Sequence, residues 1–549
     1  MNKTLAVRVA VVAIAASLLA VLPGGCRSQA RDYGLHRVTV AQQHIHEIEP
    51  LQLKEAEAEE PQAPDANEPP PEKMELSLEQ CRALALENNL GLKAQLISPA
   101  IAAQRLSEEE AKFESAFVAN VNFDKIDSPS VSFLNQITGN KVDNVHEDLG
   151  VQMPLRTGGT VTFGFADNRT KTDAQGTAFN PYYSSGLSAS ISQPLLRNAG
   201  QWVNTHSIRI VAYERQIADA RARLEVINVL AALDRVYWRL YAARKELEVR
   251  EQQYALAQAQ LEQARRFVDA GQRPQVEIVR AEAGVAQQLE AIIVAENSLR
   301  DRERELKRVI RKAGLDMQTP TVLVPQTPPD PVRYELQRAR LVRTAIKGRM
   351  ELLELQLRIL QDASTVDYAR NQTLLLASLN YTYNVSGLGE TRNDSYDLLF
   401  TSDFADHRLG LQMVIPIGNE AAKSRLRQAM YQRRQRLATR ANREDLIRLE
   451  VLNAADQVEA NWQRILAARQ NSILNGRLYE AERRQFAQGL RTSTEVLDAQ
   501  TKFANAQSAE IRALAEYQIA LVDLAYATGT LLGADKIRWE PAVPETDPN

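Results

Sequence analysis

The best short motifs in the sequence, which carry acidic and basic side chains, lie at two points where long helical patterns reverse direction. The first is Gly271-Gln272-Arg273, followed by Glu277. The second is Gly489-Leu490-Arg491, followed by Glu495 and Asp498. Glycine permits the left-handed conformation that ends a helix, and the dipole of the returning helix favours an acid in its first turns. On residue types alone, these segments predict stable helix reversals and nothing more.

Enzyme chemistry and cofactor binding find no support elsewhere in the chain. The sequence contains no G-x-S-x-G, HExxH or P-loop motif and no convincing pair of catalytic carboxylates. Its two cysteines, Cys26 and Cys81, are not in a CxxC arrangement, which argues against a zinc site. The net charge of −3 does not suggest a nucleic-acid partner. We therefore expect a protein that is not an enzyme and needs no cofactor or metal.

Residues 1–26 read as an export signal. Lys3 and Arg8 supply its positive region, and Val9–Leu22 is an apolar run too short for a confident transmembrane helix. Small residues before Cys26 resemble a bacterial lipoprotein cleavage site with Cys26 acylated, although Pro23 stands where such sites usually carry leucine. The alternative is an ordinary cleaved signal with an incidental cysteine. Either way, the chain is predicted to leave the cytoplasm.

Two stretches, Gln201–Ala270 and Glu420–Gln488, read as single helices of about seventy residues, or roughly 105 Å at about 1.5 Å per residue. Apolar residues recur in them every seven positions, which predicts coiled-coil packing. The first seam comprises Val226, Leu233, Leu240, Leu247, Tyr254, Leu261 and Val268. The second comprises Met430, Leu437, Val451, Val458, Ile465, Tyr479 and Phe486. Each long helix is followed by a returning helix, from about Pro274 and from Thr494.

Strand-like segments with a period of two precede each long helix. Four of them, around Phe123, Val151, Phe163 and Ala189, lie before the first helix. Two more lie before the second helix, at 375–386 and 409–415. Each has one apolar face and one face of small polar residues. Long loops alternate with a tight turn, a pattern typical of outer-membrane β-barrels, although a soluble antiparallel sheet has the same periodicity.

The chain is therefore predicted to be a tandem duplication, the strongest architectural signal in the sequence. Phe123 maps onto Tyr383 at an offset of 260, and Glu277 onto Glu495 at an offset of 218. The offsets differ by 42 residues, about one additional strand pair, which is present only in the first half.

These boundaries give six segments. The export signal is followed by a disordered tether rich in proline and glutamate at residues 27–75 and by a first repeat at 76–316. A linker at 317–333 joins it to a second repeat at 334–532, and a C-terminal tail occupies 533–549.

Several motifs make the chain resemble the TolC family of bacterial outer-membrane efflux channels. They are Leu84–Asn89, Gln193–Leu196, Val236–Trp238 and both helix reversals, above all Gly489–Ala499. The resemblance implies an α+β membrane protein in which three copies share one outer-membrane β-barrel, continued by a helical coiled-coil tunnel in the periplasm. It also implies tips that constrict the tunnel and dock on a periplasmic adaptor, which connects to an inner-membrane pump.

The resemblance also assigns roles to the tip residues. Glu277 matches an acid that holds the basic Arg491 across neighbouring hairpins, while Phe486 stands where a tyrosine can join that network. Glu495 and Asp498 match acids that ring the pore, so three copies would bring six carboxylates together, attract cations and raise one another's pKa. The residues expected at the docking apex are Gly271, Gln272, Arg273, Gly489, Leu490 and Arg491. A Glu277–Arg491 pair would contribute only ~0–1 kcal/mol, a modest latch suited to a gate that a partner opens.

One departure affects the barrel. The family pattern has four strands per chain, whereas this sequence predicts six, so three copies would supply 18 strands or 12 plus three accessory hairpins. The function that fits best is a passive exit duct of a tripartite efflux or type I secretion system. The alternatives are a periplasmic coiled-coil adaptor or scaffold without a pore, which usually carries one hairpin per chain, and an exported enzyme.

Overall fold

The computed structural model describes residues 73–127, 129, 141–174 and 177–535. All of these residues belong to one compact unit, which begins at Pro71. The predicted export signal with Cys26, the tether up to residue 72 and the tail from residue 536 lie outside the described residues.

Six strands form one antiparallel sheet in the order β2-β3-β4-β5-β7-β8. Their bounds are β2 Ala116–Asp127, β3 Lys141–Pro154, β4 Thr160–Thr172, β5 Tyr182–Pro194, β7 Leu376–Gly389 and β8 Ala405–Val414. All six segments that the period-two pattern identified are therefore strands. The sheet joins the two halves of the chain, because β5 pairs with β7 from Tyr183 opposite Gly389 to Pro194 opposite Ser378.

The strand register separates an apolar face of the sheet from a polar one. One aligned row on the apolar face comprises Phe117, Val151, Phe163, Ala189, Tyr383 and His407. The adjacent row, on the opposite face, comprises Val118, Gly150, Gly164, Ser188, Asn384 and Asp406. Since side chains alternate strictly along a strand, most of the large apolar residues of the six strands share one face, with Val118 among the exceptions.

Two helical hairpins follow the strands. The first consists of α4 (His206–Asp269) and α5 (Val276–Ile310), preceded by the short α3 (Gln201–Asn204). The second consists of α9 (Glu420–Ala487) and α10 (Ser493–Thr528). The remaining helices are α1 Leu78–Asn88, α2 Leu90–Ala111, α6 Arg338–Gly348, α7 Met350–Asn371, α8 Arg392–Thr401 and α11 Leu531–Ala534. Among the described residues, no helix is long and apolar enough to cross a membrane.

The first predicted long helix is interrupted near its start. Thr205 separates α3 from α4 and has a ψ of 16°, outside the helical range. Its hydroxyl donates to the carbonyl of Gln201 at 2.8 Å, which is the local side-chain bond that competes with regular helix geometry.

The predicted seams hold only where a second helix is long enough to cover them. Met430 and Leu437 are 52% and 46% exposed, because α10 has 36 residues against the 68 of α9 and packs on the C-terminal part of its partner. Val451, Val458 and Ile465 are buried as expected.

Near the tip of α4 the buried positions shift by one residue. Tyr254 and Leu261 are only half-buried, while Gln253 and Gln260 take their places. Gln500 of α10 donates to the backbone carbonyl of Gln253 at 2.8 Å, so the seam is polar and links the two hairpins of one chain.

A small parallel sheet, not predicted from the sequence, ties the tether to the linker. It pairs β1 (Lys73–Leu76) with β6 (Val322–Pro325). The sequence analysis placed residues 73–75 in the disordered tether and 322–325 in the linker, and it identified neither strand because four-residue strands are too short to show a period. Tyr237 of α4 fixes this sheet by donating to the carbonyl of Leu76 at 3.2 Å and accepting from the N–H of Thr327 at 2.9 Å.

The main core lies where α4 passes α1, α2 and α5. Leu230, Leu233, Leu240 and Tyr237 are fully buried there. Cys81 is also fully buried, and burial, followed by the nearby charge of Asp234, raises the pKa of its thiol to about 12. The thiol is thus protonated and unreactive at neutral pH.

Replacing Tyr237 by phenylalanine tests the role of its hydroxyl. The change leaves the Thr327 N–H without its acceptor, so we expect a loss of about 1–3 kcal/mol of stability. The measurement is heat-induced unfolding of the purified protein in detergent. Tyr254→Phe, on the same helix, is the matched control, and an equal effect of both substitutions would contradict this role for Tyr237.

Candidate gate at the hairpin tips

Both hairpins reverse through the same kind of helix C-terminus. Gly271 has φ +69° and Gly489 has φ +82°, the left-handed conformation that glycine adopts without strain. The Gln272 N–H bonds to the Phe267 carbonyl at 2.9 Å, and the Leu490 N–H bonds to the Gln485 carbonyl at 3.0 Å. These are the long bonds of a Schellman motif, which satisfy carbonyls at the helix end. Glycine is therefore required at both tips for backbone geometry.

The returning helix α10 is capped by its own first turn. Thr492 and Glu495 form a capping box, in which the Thr492 N–H donates to Glu495 at 2.8 Å. Arg491 lies just before the cap and donates to the other oxygen of Glu495 at 2.7 Å. The hydrogen bond from the Thr492 N–H and the bond from Arg491 lower the pKa of Glu495. Within one chain, then, this carboxylate is held in its charged form.

Glu277 joins the first hairpin to the second. Its carboxylate accepts from the Ser493 N–H at 2.9 Å and from Arg280 at 2.6 Å, and the residue is 3% exposed. Ser493 is the first residue of α10, so Glu277 places a negative charge at the positive end of a helix that belongs to the other hairpin. Burial acts to raise the pKa of Glu277, but the bonds from Ser493 and Arg280 outweigh it and lower the pKa.

Arg273 makes a second link between the tips. It donates to the backbone carbonyl of Arg491 at 2.8 Å, and its guanidinium lies 5.5 Å from the ring centre of Phe486. Phe486 is fully buried and packs against Phe267 at a ring distance of 5.8 Å. Because Phe486 has no hydroxyl, it contributes only apolar packing to the contact with Phe267 and Arg273.

The predicted bond between Glu277 and Arg491 is not formed within the chain. The side chain of Arg491 contacts Gln485 at 2.9 Å, Glu482 at 3.3 Å and Glu495 at 2.7 Å, all on its own hairpin. The carboxylate of Glu277 is occupied by Ser493 and Arg280, which is why it does not reach Arg491. A Glu277–Arg491 contact between neighbouring copies stays a prediction.

The acids expected to line a pore have cationic neighbours that the sequence reading overlooked. Asp498 pairs with Lys502 at 2.7 Å, and Glu495 pairs with Arg491. The four-residue spacing between Asp498 and Lys502 on one helix is a signal that could have identified this pair. The side chains of Arg491, Glu495 and Asp498 are 42%, 40% and 62% exposed, so each remains open to a neighbouring molecule.

The apex of each tip is an exposed surface. Gly271 and Gln272 are exposed on the first hairpin, and Leu490 is 71% exposed on the second. Arg273 is only half-exposed because it reaches toward Arg491.

The family model for outer membrane efflux proteins matches residues 160–310 and 341–530, which together are more than half of the chain and include both hairpins. The chain belongs to this family. The two matched segments cover most of the two halves that the sequence pattern identified as a duplication.

Solved structures share the fold of the chain. They include a membrane protein from Pseudomonas aeruginosa, with 16% identity, coverage of 82% of this chain and 90% of that one, and a TM-score of 0.62. The CmeC outer membrane channel of Campylobacter jejuni has 15% identity, coverage of 83% and 86%, and a TM-score of 0.60. The outer membrane protein VceC from Vibrio cholerae has 14% identity, coverage of 82% and 96%, and a TM-score of 0.60. The comparison with curated proteins found no match.

Removing the carboxylate of Glu277 tests the link between the hairpins. In Glu277→Ala the buried Ser493 N–H loses its acceptor, and we expect about 1–3 kcal/mol less stability. Glu282→Ala, an exposed acid on the same helix, is the control. Heat-induced unfolding in detergent measures both, and a Glu277→Ala protein as stable as the control would refute the link.

The pH dependence of stability gives a separate test. Because the pKa of Glu277 is lowered from 4.5 in the folded protein, its contribution is fully present above about pH 4.5 and is lost as the pH falls through the folded-state pKa. The difference in thermal midpoint between the native protein and Glu277→Gln should therefore shrink on acidification below pH 4.5. A difference that stays constant from pH 7 to pH 3 would contradict this assignment.

Proposed function

We propose that this protein is a passive, non-enzymatic exit duct through the bacterial outer membrane, built from three copies of the chain. The observation that carries the proposal is the six-stranded sheet, which has one apolar face and two open edges. Its strands are 10–14 residues long, enough for the roughly 9–11 residues that a tilted strand needs to cross a bilayer. Membership of the outer membrane efflux protein family supports the same conclusion.

The unpaired edge strands β2 and β8 are the reason why we propose that several copies associate. Along β2, Val121 and Phe123 are 69% and 67% exposed, and along β8, Leu409 and Leu411 are 73% and 60% exposed. In lipid, unpaired backbone groups at a sheet edge are too costly to persist. We infer that β8 of one copy pairs with β2 of the next until the ring closes, with the apolar face toward lipid and the polar face toward water.

The two hairpins of each copy would extend this ring into the periplasm as a helical tunnel. In this arrangement residues 76–316 and 334–532 act as two structural repeats joined by the linker 317–333. The exposed tip residues Gln272 and Leu490 would dock on a periplasmic adaptor, which links the duct to an inner-membrane pump. An acyl chain on Cys26 would add a second contact with the outer membrane.

The tip geometry supports a gate that lies between copies. Inside one copy the tips are joined by Glu277 and Arg273, so the two hairpins of a copy are expected to move together near the tip. Arg491, Glu495 and Asp498 are exposed charges that can face a neighbouring copy. Their contacts across that boundary would hold the duct shut, and adaptor binding would replace them.

The acids would also select ions. Three copies bring three Glu495 and three Asp498 side chains near one axis, and such rings favour cations. Arg491 and Lys502 lie beside them and reduce the local negative charge. We therefore expect a moderate preference for cations.

Electrical recording from the purified protein in a planar bilayer tests the duct. We expect a detergent-stable trimer that conducts ions. Arg491→Ala should raise the conductance several-fold, because it removes the Arg491 contacts with a neighbouring copy that are proposed to hold the duct shut. Arg484→Ala, one turn before the reversal and 76% exposed, is the matched control.

Two outcomes would contradict the proposal in different ways. A water-soluble monomer without conductance would exclude the duct. A conducting trimer in which Arg491→Ala behaves like Arg484→Ala would keep the duct and remove Arg491 from its gate.

A further inference from the structure

We propose that all six strands of each chain belong to the membrane wall, so that the closed ring has 18 strands and an exit about 1.5 times wider than a ring of 12. This inference rests on the proposed threefold duct. The second half of the chain contributes two strands to the sheet, β7 and β8, whereas the first contributes four. The question is whether the additional pair is part of the wall or an accessory hairpin outside it.

The position of the additional hairpin in the sheet indicates that the hairpin belongs to the membrane wall. Whether β2 or β3 is counted as the start of the addition, β3 and β4 lie inside the sheet, between β2 and β5. The β2–β3 ladder runs from Ala116 opposite Gln152 to Asp127 opposite Lys141. The β4–β5 ladder runs from Thr160 opposite Ser192 to Thr170 opposite Tyr182. If the addition is β3 and β4, moving it out of the wall would break both of these ladders along their whole length. If the addition is β2 and β3, moving it out would break the β3–β4 ladder from Val142 opposite Thr172 to Pro154 opposite Thr160.

The faces of the sheet continue through the hairpin without a change of phase. On the apolar face, Val151 of β3 and Phe163 of β4 continue the row between Phe117 and Ala189. An accessory hairpin in water would have no reason to place large apolar side chains on this face. Phe163 is 49% exposed in one copy, as a lipid-facing residue should be.

Helix α8 ties the additional hairpin to the second half of the chain. It lies in the loop between β7 and β8 and reaches across β5 to β4. There it covers one end of the apolar face, beyond Phe163, at Phe165 and Asp167. Arg392 contacts Asp167 at 2.8 Å, and the hydroxyl of Tyr396 donates to the same carboxylate at 2.8 Å. Phe165 packs on Tyr396 at a ring distance of 5.9 Å. The carboxylate of Asp167 is 1% exposed, so α8 covers it completely.

Helix α8 packs closely on strands β5 and β7. Ser395 and Ser185 hydroxyls are 2.7 Å apart, which fixes α8 to β5. A Cβ at Gly387 would collide with the Ser395 carbonyl, and one at Gly389 would collide with the backbone of α8. Three strands, β4, β5 and β7, therefore share one helix, and β4 cannot leave the sheet without uncovering Asp167.

The widening would be confined to the membrane end of the duct. The additional segment adds strands but no helix, so the number of long helices per copy stays at four, namely α4, α5, α9 and α10. The polar face of β4 and β5 carries small uncharged side chains such as Thr162, Ser188 and Ser190. A wide exit with this lining suits bulky hydrated cargo that passes without binding, while the tips keep control of flow.

Electron cryomicroscopy of the detergent-solubilised full-length protein tests the inference by counting strands in the ring. We expect 18, with β3 and β4 inside the wall. The comparison variant lacks residues 128–172, which brings β2 next to β5. Because Phe117 and Ala189 lie in one row, the apolar and polar faces of β2 and β5 stay aligned in the variant. We expect a ring of 12 strands, with the diameter of the 18-stranded ring about 1.5 times larger than that of the variant. The helical tunnel should be unchanged.

The outcomes separate this inference from the proposed function. A threefold ring of 12 strands in the native protein, with β3 and β4 outside it, would overturn the inference and leave the duct intact. A particle without a central lumen would overturn the duct itself. If the shortened variant does not fold, the strand count of the native protein still decides.

Discussion

Backbone hydrogen bonds at the two edges of the sheet are the constraint on which this structure depends. Within the part of the chain that the structure describes, β2 and β8 each pair on one side only. The exposed apolar side chains of these strands are unfavourable in water. Their unpaired backbone N–H and C=O groups are too costly to leave in lipid. Pairing of β8 of one copy with β2 of the next would satisfy both requirements at once. The proposed membrane ring and its lumen rest on that single condition.

The helical hairpins meet a different constraint, which is to reverse direction and still hold together at the far end. Glycine at 271 and 489 makes the reversals possible. Glu277 then accepts a hydrogen bond from the buried Ser493 N–H at the start of α10, and Arg273 donates to the carbonyl of Arg491. These bonds run between hairpins through backbone atoms, so they depend on the shape of the tip more than on the identity of the residues they reach. The side chains left over at the surface are charged and are suited to contacts that form and break.

Much of the fold could be predicted from the sequence, and the exceptions have physical causes. Strands and long helices were identifiable because their periods repeat many times, as with the alternation through Phe163 and the heptads through Leu240. The parallel pair of β1 and β6 was missed because four residues show no period. Met430 and Leu437 fit a heptad but lie beyond the reach of α10, and no local pattern encodes the length of a partner helix.

The positions of the charged tip residues could be predicted from the sequence, but their contacts could not. Glu277, Arg491, Glu495 and Asp498 do lie at the two tips of one chain, yet Glu277 bonds to a backbone N–H rather than to Arg491. Charged side chains can be identified in a sequence, whereas the backbone N–H groups that will lie near them cannot. Prediction from the sequence is therefore biased toward pairs of opposite charges. Neighbouring copies, which would complete the gate, are equally hidden.

Disulfide trapping between edge strands tests the central claim most directly. One cysteine would be placed at Leu411 of β8 and a second at successive positions from Phe117 to Phe123 of β2, with Cys81 replaced by alanine and Cys26 retained throughout. The controls are the proteins with a single introduced cysteine, here called single-cysteine proteins. Closure through these edges predicts that some pairs yield a covalent trimer under oxidising conditions, and that the single-cysteine proteins do not. If no pair links one chain to another in a protein that is folded and in the membrane, the edges do not meet and the account is wrong.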